Sequence, residues 1–243
     1  MKQQRTLQCL INSFLCVLIF CVSANAQNDS IPNTPNDTIK VKLQYGLRVG
    51  GDVGKLIRSF VDEEYKGFEI SADYRLKKRL YIAGEIGIEE KNTISENLDI
   101  TSKGSYIKGG IDYNSYQNWL DMDNMIYFGF RIGASSFSHD LNSFAVYSTN
   151  QYWAPQFSSN EKQEFSGLTA IWTELILGIK VELFNNLYLG LNAQLKILAS
   201  ETVPDNFENV YIPGFNKTYD SSNIGTGYGY TLSYRIPLFK KDK

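Results

Sequence analysis

Residues 68–86 read FEISADYRLKKRLYIAGEI, and the fold depends on which side of each strand meets water. Phe68, Ile70, Ala72, Tyr74 and Leu76 alternate with Glu69, Ser71, Asp73 and Arg75, the tripeptide KKR intervenes, and the alternation restarts at Leu80. A period of two sends successive side chains to opposite faces of a strand. Such a strand either covers a protein core with one face and meets water with the other, or separates lipid from a polar barrel interior.

The same period recurs along the chain. It begins with Ile39, Val41, Leu43, Tyr45, Leu47 and Val49, and returns over 68–76, 80–89, 107–114, 126–134, 171–183, 187–197 and 227–236. Charges at every second position and glycines in mid-segment break any 3.6-residue stripe, so long helices are excluded. The expectation is an all-β protein: an eight-stranded antiparallel up-and-down transmembrane β-barrel over 39–239, or ten strands if 136–165 forms a further spanning hairpin.

Four features favour lipid on the apolar face. Most segments run nine or more residues, as a tilted membrane strand requires, whereas soluble strands average about five to six. Connections alternate between short ones (KKR, SYQNWLDMDN, FNN) and long ones (51–65, 91–103, 136–165, 201–223). The polar face carries Arg48, Glu69, Asp73, Arg75, Glu85, Lys108, Asp112, Arg131, Glu174, Lys180, Lys196 and Arg235 beside many glycines, as a narrow lumen filled by large paired side chains requires. Tyr74, Tyr113, Phe128 and Tyr234 fall near the short-turn ends of the apolar faces, where an interfacial girdle belongs.

The outer segments agree with that location. Residues 1–26 have a basic start, an apolar run and the small-residue ending SANA of a secretory signal peptide. Residues 27–38 are rich in Asn, Pro and Asp and read as a disordered periplasmic tether. Cys9, Cys16 and Cys21 all lie in the signal, so the processed chain would carry neither disulfide nor thiol chemistry. A formal net charge of −2 gives no reason to expect nucleic acid as a partner. The mean hydropathy of −0.26 does not argue against a barrel, since half of its residues face a polar interior.

The stretches YKGFEISADYRLKKRLYIAGEIGIEEK, TSKGSYIKGGIDYNSYQNWL and YRIPLF resemble a family of Bacteroidota outer-membrane barrels known as domain of unknown function 6048. The resemblance spans about Tyr45 to Phe239 and implies the same fold and location, without an activity. YRIPLF also looks like the aromatic-ended final strand that the barrel insertion machinery reads, although KKDK follows it.

Candidate chemistry is sparse. His139, the lone histidine, sits in SSFSHDL at the end of a strand, near Ser136, Ser138 and Asp140. Outer-membrane lipid A deacylases use a serine, a histidine and a carboxylate, but here Ser138 and Asp140 would face away from His139, and the usual His-x-Ser spacing is absent. The expectation is an ordinary surface histidine and no enzyme, with outer-leaflet lipid modification as the alternative and a narrow pore behind it. DMDN at 121–124 lacks the glycine and glutamate of a calcium loop and reads as a solvated turn, and no cofactor or metal is expected. Lys77–Arg79 reads as a polar turn.

Two long connections, 136–165 and 201–223, are rich in Phe, Tyr and Trp and are the expected external surface for a glycan or protein partner; the remaining partners are outer-membrane lipid and the insertion machinery. Asp29-Ser30-Ile31 and Asp37-Thr38-Ile39 are similar to Bacteroidota glycosylation sites, which makes Ser30 and Thr38 candidate glycan carriers.

Overall fold

The computed structural model describes residues 42–116, 123–146, 157–159, 161–204, 207–218 and 222–242. The signal, the tether and the candidate glycan carriers Ser30 and Thr38 lie outside these residues, as do Asp121 and Met122 of DMDN and the tip of the 136–165 connection.

The elements run β1 (Lys42–Asp52), α1 (Val53–Val61), β2 (Tyr65–Arg75), β3 (Leu80–Ser95), β4 (Leu98–Asn114), β5 (Met125–Val146), β6 (Phe157–Ser159), β7 (Gln163–Phe184), β8 (Leu187–Glu201), β9 (Tyr211–Ile212), β10 (Asn216–Lys217) and β11 (Ile224–Asp242). Each long strand pairs antiparallel with its sequence neighbour, β5 passes over the short β6 to pair with β7, and β11 returns to β1. The ring is therefore β1-β2-β3-β4-β5-β7-β8-β11, a closed eight-stranded antiparallel barrel in which β2 and β11 run past the end of β1.

Burial follows the pleat. Along β5, Met125, Tyr127, Arg131, Ser135, Phe137 and His139 are buried, while Ile126, Phe128, Phe130 and Ile132 between them are exposed. The same inversion of ordinary globular burial runs round the ring, with Ile70, Ile86, Ile107, Leu177, Leu191 and Leu232 all exposed. This apolar belt far exceeds the few hundred Å² that soluble monomers expose.

Two connections differ from the sequence expectation, and a third decides between the alternatives it left open. The 91–103 stretch is no loop, because β3 and β4 continue past it to a two-residue turn at Glu96 and Asn97. The 51–65 stretch holds α1, capped by Asp52, whose carboxylate accepts the Lys55 N–H at 3.1 Å. Among the described residues of the 136–165 stretch, β5 and β7 continue as a hairpin and β6 adds three residues to its side, so the ring keeps eight strands. At the opposite end the β2–β3 and β7–β8 turns are short, and Asn186 takes a positive φ of 67° in the latter.

Candidate functional site

The interior is the chemically distinctive part of the molecule. All twelve predicted lumen residues point into it, with Glu85 half-buried and the rest buried. They group into two storeys. Toward the short turns, Asp73 accepts from Arg48 Nε at 2.7 Å and from Lys180 Nζ at 2.5 Å. Below that pair, Asp123 bridges Arg75 and Arg235, so the residue read as part of a solvated turn instead closes the floor. Its sequence signal was lost because a connection of ten residues was treated as outside the barrel, whereas its end folds back beneath the lumen.

The upper storey is built around Lys108, which contacts Glu85 and lies 3.4 Å from Glu69 and 3.9 Å from Glu174. Arg131 joins Asp112 at 2.8 Å and Glu85 at 3.4 Å. A lone buried ion costs several kcal/mol, so charges at this density persist only because most have two or more partners. The mid-strand glycines have a related cause: a Cβ at Gly133 would fall inside the Trp172 indole, and one at Gly178 inside the Tyr127 ring. Each large ring fills the lumen by lying across a bare backbone.

Three members of this network were not foreseen. Lys55 of α1 reaches in to Glu69 at 2.8 Å and Glu89 at 2.7 Å. Tyr106 donates to Glu69 at 2.6 Å. Glu89 also accepts from Tyr65, Tyr211 and the Gly214 N–H.

Those last contacts correct the reading of 201–223 as an exposed aromatic loop. Tyr211, Ile212, Pro213, Gly214 and Phe215 are buried inside the barrel mouth, and Phe207 is half-buried. Phe215 meets Trp172 edge-on at 6.1 Å and packs with Tyr106, Phe137, Leu168 and Leu198 in the main apolar cluster. Phe207, Tyr211 and Phe215, the described aromatic residues of this segment, thus form a plug. The turn is held by Gly214 at a φ of 82°, pressed against the Tyr106 ring where no side chain would fit.

His139 is likewise not a surface residue, being fully buried under the plug. Its Nδ1 is 2.8 Å from Ser102 Oγ and its Nε2 is 2.9 Å from Asn209 Oδ1. Asn209 in turn donates to Glu201 at 2.7 Å and to the Thr202 carbonyl at 3.0 Å. As the pleat requires, Ser138 faces outward, half-buried, and Asp140 pairs outside with Lys103 at 2.6 Å, so neither neighbour reaches the ring. Burial pushes the imidazole below the ordinary histidine range, against smaller opposing effects of Asn209 and Asp140. A serine, a histidine and an amide in line have the connectivity of a nucleophile, a base and its orienting group. Ser102 and His139 are fully buried, so no substrate could approach them with the plug in place.

Among the described residues, no group of three or more His, Cys, Asp or Glu side chains could hold a metal ion. Arg79, in the KKR turn, is partly exposed and contacts the Tyr113 hydroxyl at 3.3 Å.

Comparison with known proteins follows from this geometry. Similar solved structures include Ail, the attachment invasion locus protein of Yersinia pestis, at 10% identity and a TM-score of 0.42, covering 79% of this chain and 98% of that one. Neisserial surface protein A is similar at 11% identity and a TM-score of 0.40, covering 79% and 95%. No curated protein matches the sequence. The profile of the family described as domain of unknown function (DUF6048) matches residues 6–241. The chain belongs to that family.

Proposed function

We propose that this protein is an outer-membrane barrel with a structural or binding role, and that its partner surface is the hairpin of β5 and β7. The carrying observation is the filled interior: among the described residues, two storeys of paired charges with the 207–218 segment seated above them occupy the lumen, which supports a barrel closed to solute along its axis. The apolar belt supports a lipid environment, since outward side chains on β5 are apolar through Ile132 and turn polar at Ser136, Ser138 and Asp140. The polar hairpin would therefore stand clear of the bilayer on the outer side, and it would present the remaining part of the 136–165 connection to a glycan or protein.

Outer-membrane fractions run unboiled and boiled on a gel test the location: a mobility shift in that fraction is expected, and protein found only in the soluble periplasm would refute it. Planar bilayers test the closed lumen, where conductance at the level of a general porin would overturn it. Pull-downs and glycan screens should lose their signal when residues 142–162 are replaced by a short turn.

A second reading, an outer-leaflet lipid-modifying enzyme, is favoured by the alignment of Ser102, His139 and Asn209. It requires the plug to leave the mouth. His139→Ala with unchanged lipid A in whole cells would end it.

A further inference from the structure

The barrel wall is incomplete in one place. β1 stops at Asp52, opposite Thr231, while β11 extends outward to Ile224 and β2 to Tyr65. Over residues 224–230 and 65–69 a strand is missing, and α1 stands in the notch. Along the edge of β2, Ser59 Oγ accepts from the Gly67 N–H at 2.7 Å and lies 3.1 Å from the Gly67 carbonyl. Toward β11 the tie is the Asp52 carboxylate, which takes the Tyr230 N–H as well as that of Lys55. Ile57, Phe60 and Val61 of α1 point outward and are exposed, in line with the apolar belt.

Between α1 and β11 lies a cavity of about 190 Å³ that passes through the wall. Glu89, Gln194 and Lys196 line its lumen side, while Arg58, Tyr228 and Tyr230 form its outer rim. The same two tyrosines head a groove of about 370 Å³ on the outer face, apolar and running over Ala193 beside Leu177, Ile179 and Leu191. A polar chamber inside the wall thus continues into an apolar trough outside it.

Size and charge narrow the occupant. At about 30 Å³ per water, the chamber holds roughly six waters, enough for a phosphate with a small polar substituent and too little for a chain. Lys196 is 3% exposed, yet its nearest carboxylate, Glu174, is 3.8 Å away and its hydrogen bond goes to the Gly214 carbonyl at 2.6 Å. It is the least neutralised cation of the upper storey, and Arg58, paired with Asp62 at 3.2 Å and lying over the Tyr65 ring, stands at the rim of the same space, where the lining Asp52 carboxylate is occupied in capping α1. Glu89 opposes an anion weakly, since four donors already hold it.

We propose that the seam between α1 and β11 binds an amphiphile of the surrounding leaflet, its phosphate headgroup between Arg58 and Lys196 and one acyl chain along the groove over Ala193. This rests on the reading that the belt faces lipid.

Native mass spectrometry of the full folded chain in detergent tests it, with lysophosphatidylglycerol, dodecyl glucoside and glycerol 3-phosphate as probes. One lysophosphatidylglycerol should be retained at least tenfold better than the uncharged glucoside, and glycerol 3-phosphate, lacking the chain, should not be retained. Gly227→Leu fills the chamber against the movable ends of Gln194 and Lys196, and Ala193→Trp fills the groove. Each should lower retention about tenfold, as should Arg58→Ala. Ala193→Trp lies on the outer face and leaves the lumen packing untouched, so it decides the matter even if Gly227→Leu or Arg58→Ala disturbs the fold. Equal retention of phosphate and glucoside, or retention indifferent to these substitutions, overturns the site. Glycerol 3-phosphate bound as well as the acylated form overturns its lipid character. A chain that inserts into vesicles and shifts on the gel, yet retains no amphiphile, fails this site alone and leaves the barrel reading intact.

Discussion

Glu89 on β3 accepts, at the single oxygen Oε2, both the Tyr211 hydroxyl and the Gly214 main-chain N–H, each at 2.8 Å. Its other oxygen takes Lys55 of α1 at 2.7 Å and Tyr65 of β2 at 3.1 Å. One carboxylate therefore ties the plug, the helix and the barrel wall together across 125 residues of sequence. Removing one partner of a buried charged cluster strands the others, at a cost of about 3 to 5 kcal/mol. Glu89→Ala should lose that much in urea unfolding from lipid vesicles, and proteolysis within 207–218 should accelerate while the heat-dependent gel shift persists. Glu89→Gln keeps an acceptor for Gly214 and should lose less. Equal behaviour of both variants with wild type would detach Glu89 from the plug.

The plug should also loosen in mild acid. His139 packs edge-on against Phe137 at 5.2 Å and Phe207 at 6.2 Å, and burial holds its imidazole below the usual range. The neutral form is thus favoured in the folded protein, whereas in the unfolded chain histidine titrates near 6.5. Its contribution is complete above about pH 6.5 and is lost as pH falls toward the folded value, by at most about 1.4 kcal/mol per unit. The nearby carboxylates are Asp140, next along β5, and Glu201, behind Asn209. Proteolysis within 207–218 should be faster at pH 5.5 than at 7.5 in wild type, and independent of pH over that range in His139→Gln. Parallel profiles would exclude the histidine.

Burial should separate ion pairs that look alike on paper. Asp123 sits between Arg75 and Arg235, both 4% exposed, whereas Lys103 and Asp140 pair at 2.6 Å on the outer surface. Asp123→Ala leaves two buried guanidinium groups short of a partner and should cost about 3 kcal/mol or more. Lys103→Ala should change urea stability by less than about 1 kcal/mol. If the two substitutions cost the same, the floor of the lumen is open to water.

The period-two pattern located all eight barrel strands, because one polar and one apolar face impose it on every residue that spans the wall. What it could not show was where strands continue past the belt. Ser136 and Ser138 face outward in polar surroundings, so the alternation fades there while the ladder runs on, and the strand seems to end early. α1 was hidden for the opposite reason. Val53, Leu56, Ile57, Phe60 and Val61 do carry a helical stripe, with Asp52 as its cap, but the segment lies inside a connection whose length suggested a loop. The plug was the largest loss. Tyr211 and Phe215 are aromatic whether they face a partner or an interior, and only the long-range contacts to Glu89 and Trp172 decide between those roles. His139 suffered likewise, since Ser102 and Asn209 are 37 and 70 residues away.

Neighbouring residues on β8 offer a direct test of which face meets lipid. Leu191 is 38% exposed in mid-strand on the outer face, and Asn192 points inward beside Gly229, accepting a hydrogen bond from Gln194 at 2.8 Å. An arginine near the bilayer midplane on the outer face of a barrel costs about 2 to 4 kcal/mol. Leu191→Arg should therefore lose that amount when the protein is unfolded from phospholipid vesicles, and much less when it is unfolded from detergent micelles, whose headgroups lie closer to the side chain. Asn192→Arg adds a cation to a crowded polar interior, and its cost should be the same in vesicles and micelles because it is set by lumen packing. If Leu191→Arg proved as insensitive to the surrounding medium as Asn192→Arg, the belt would be covered by protein or water instead of lipid.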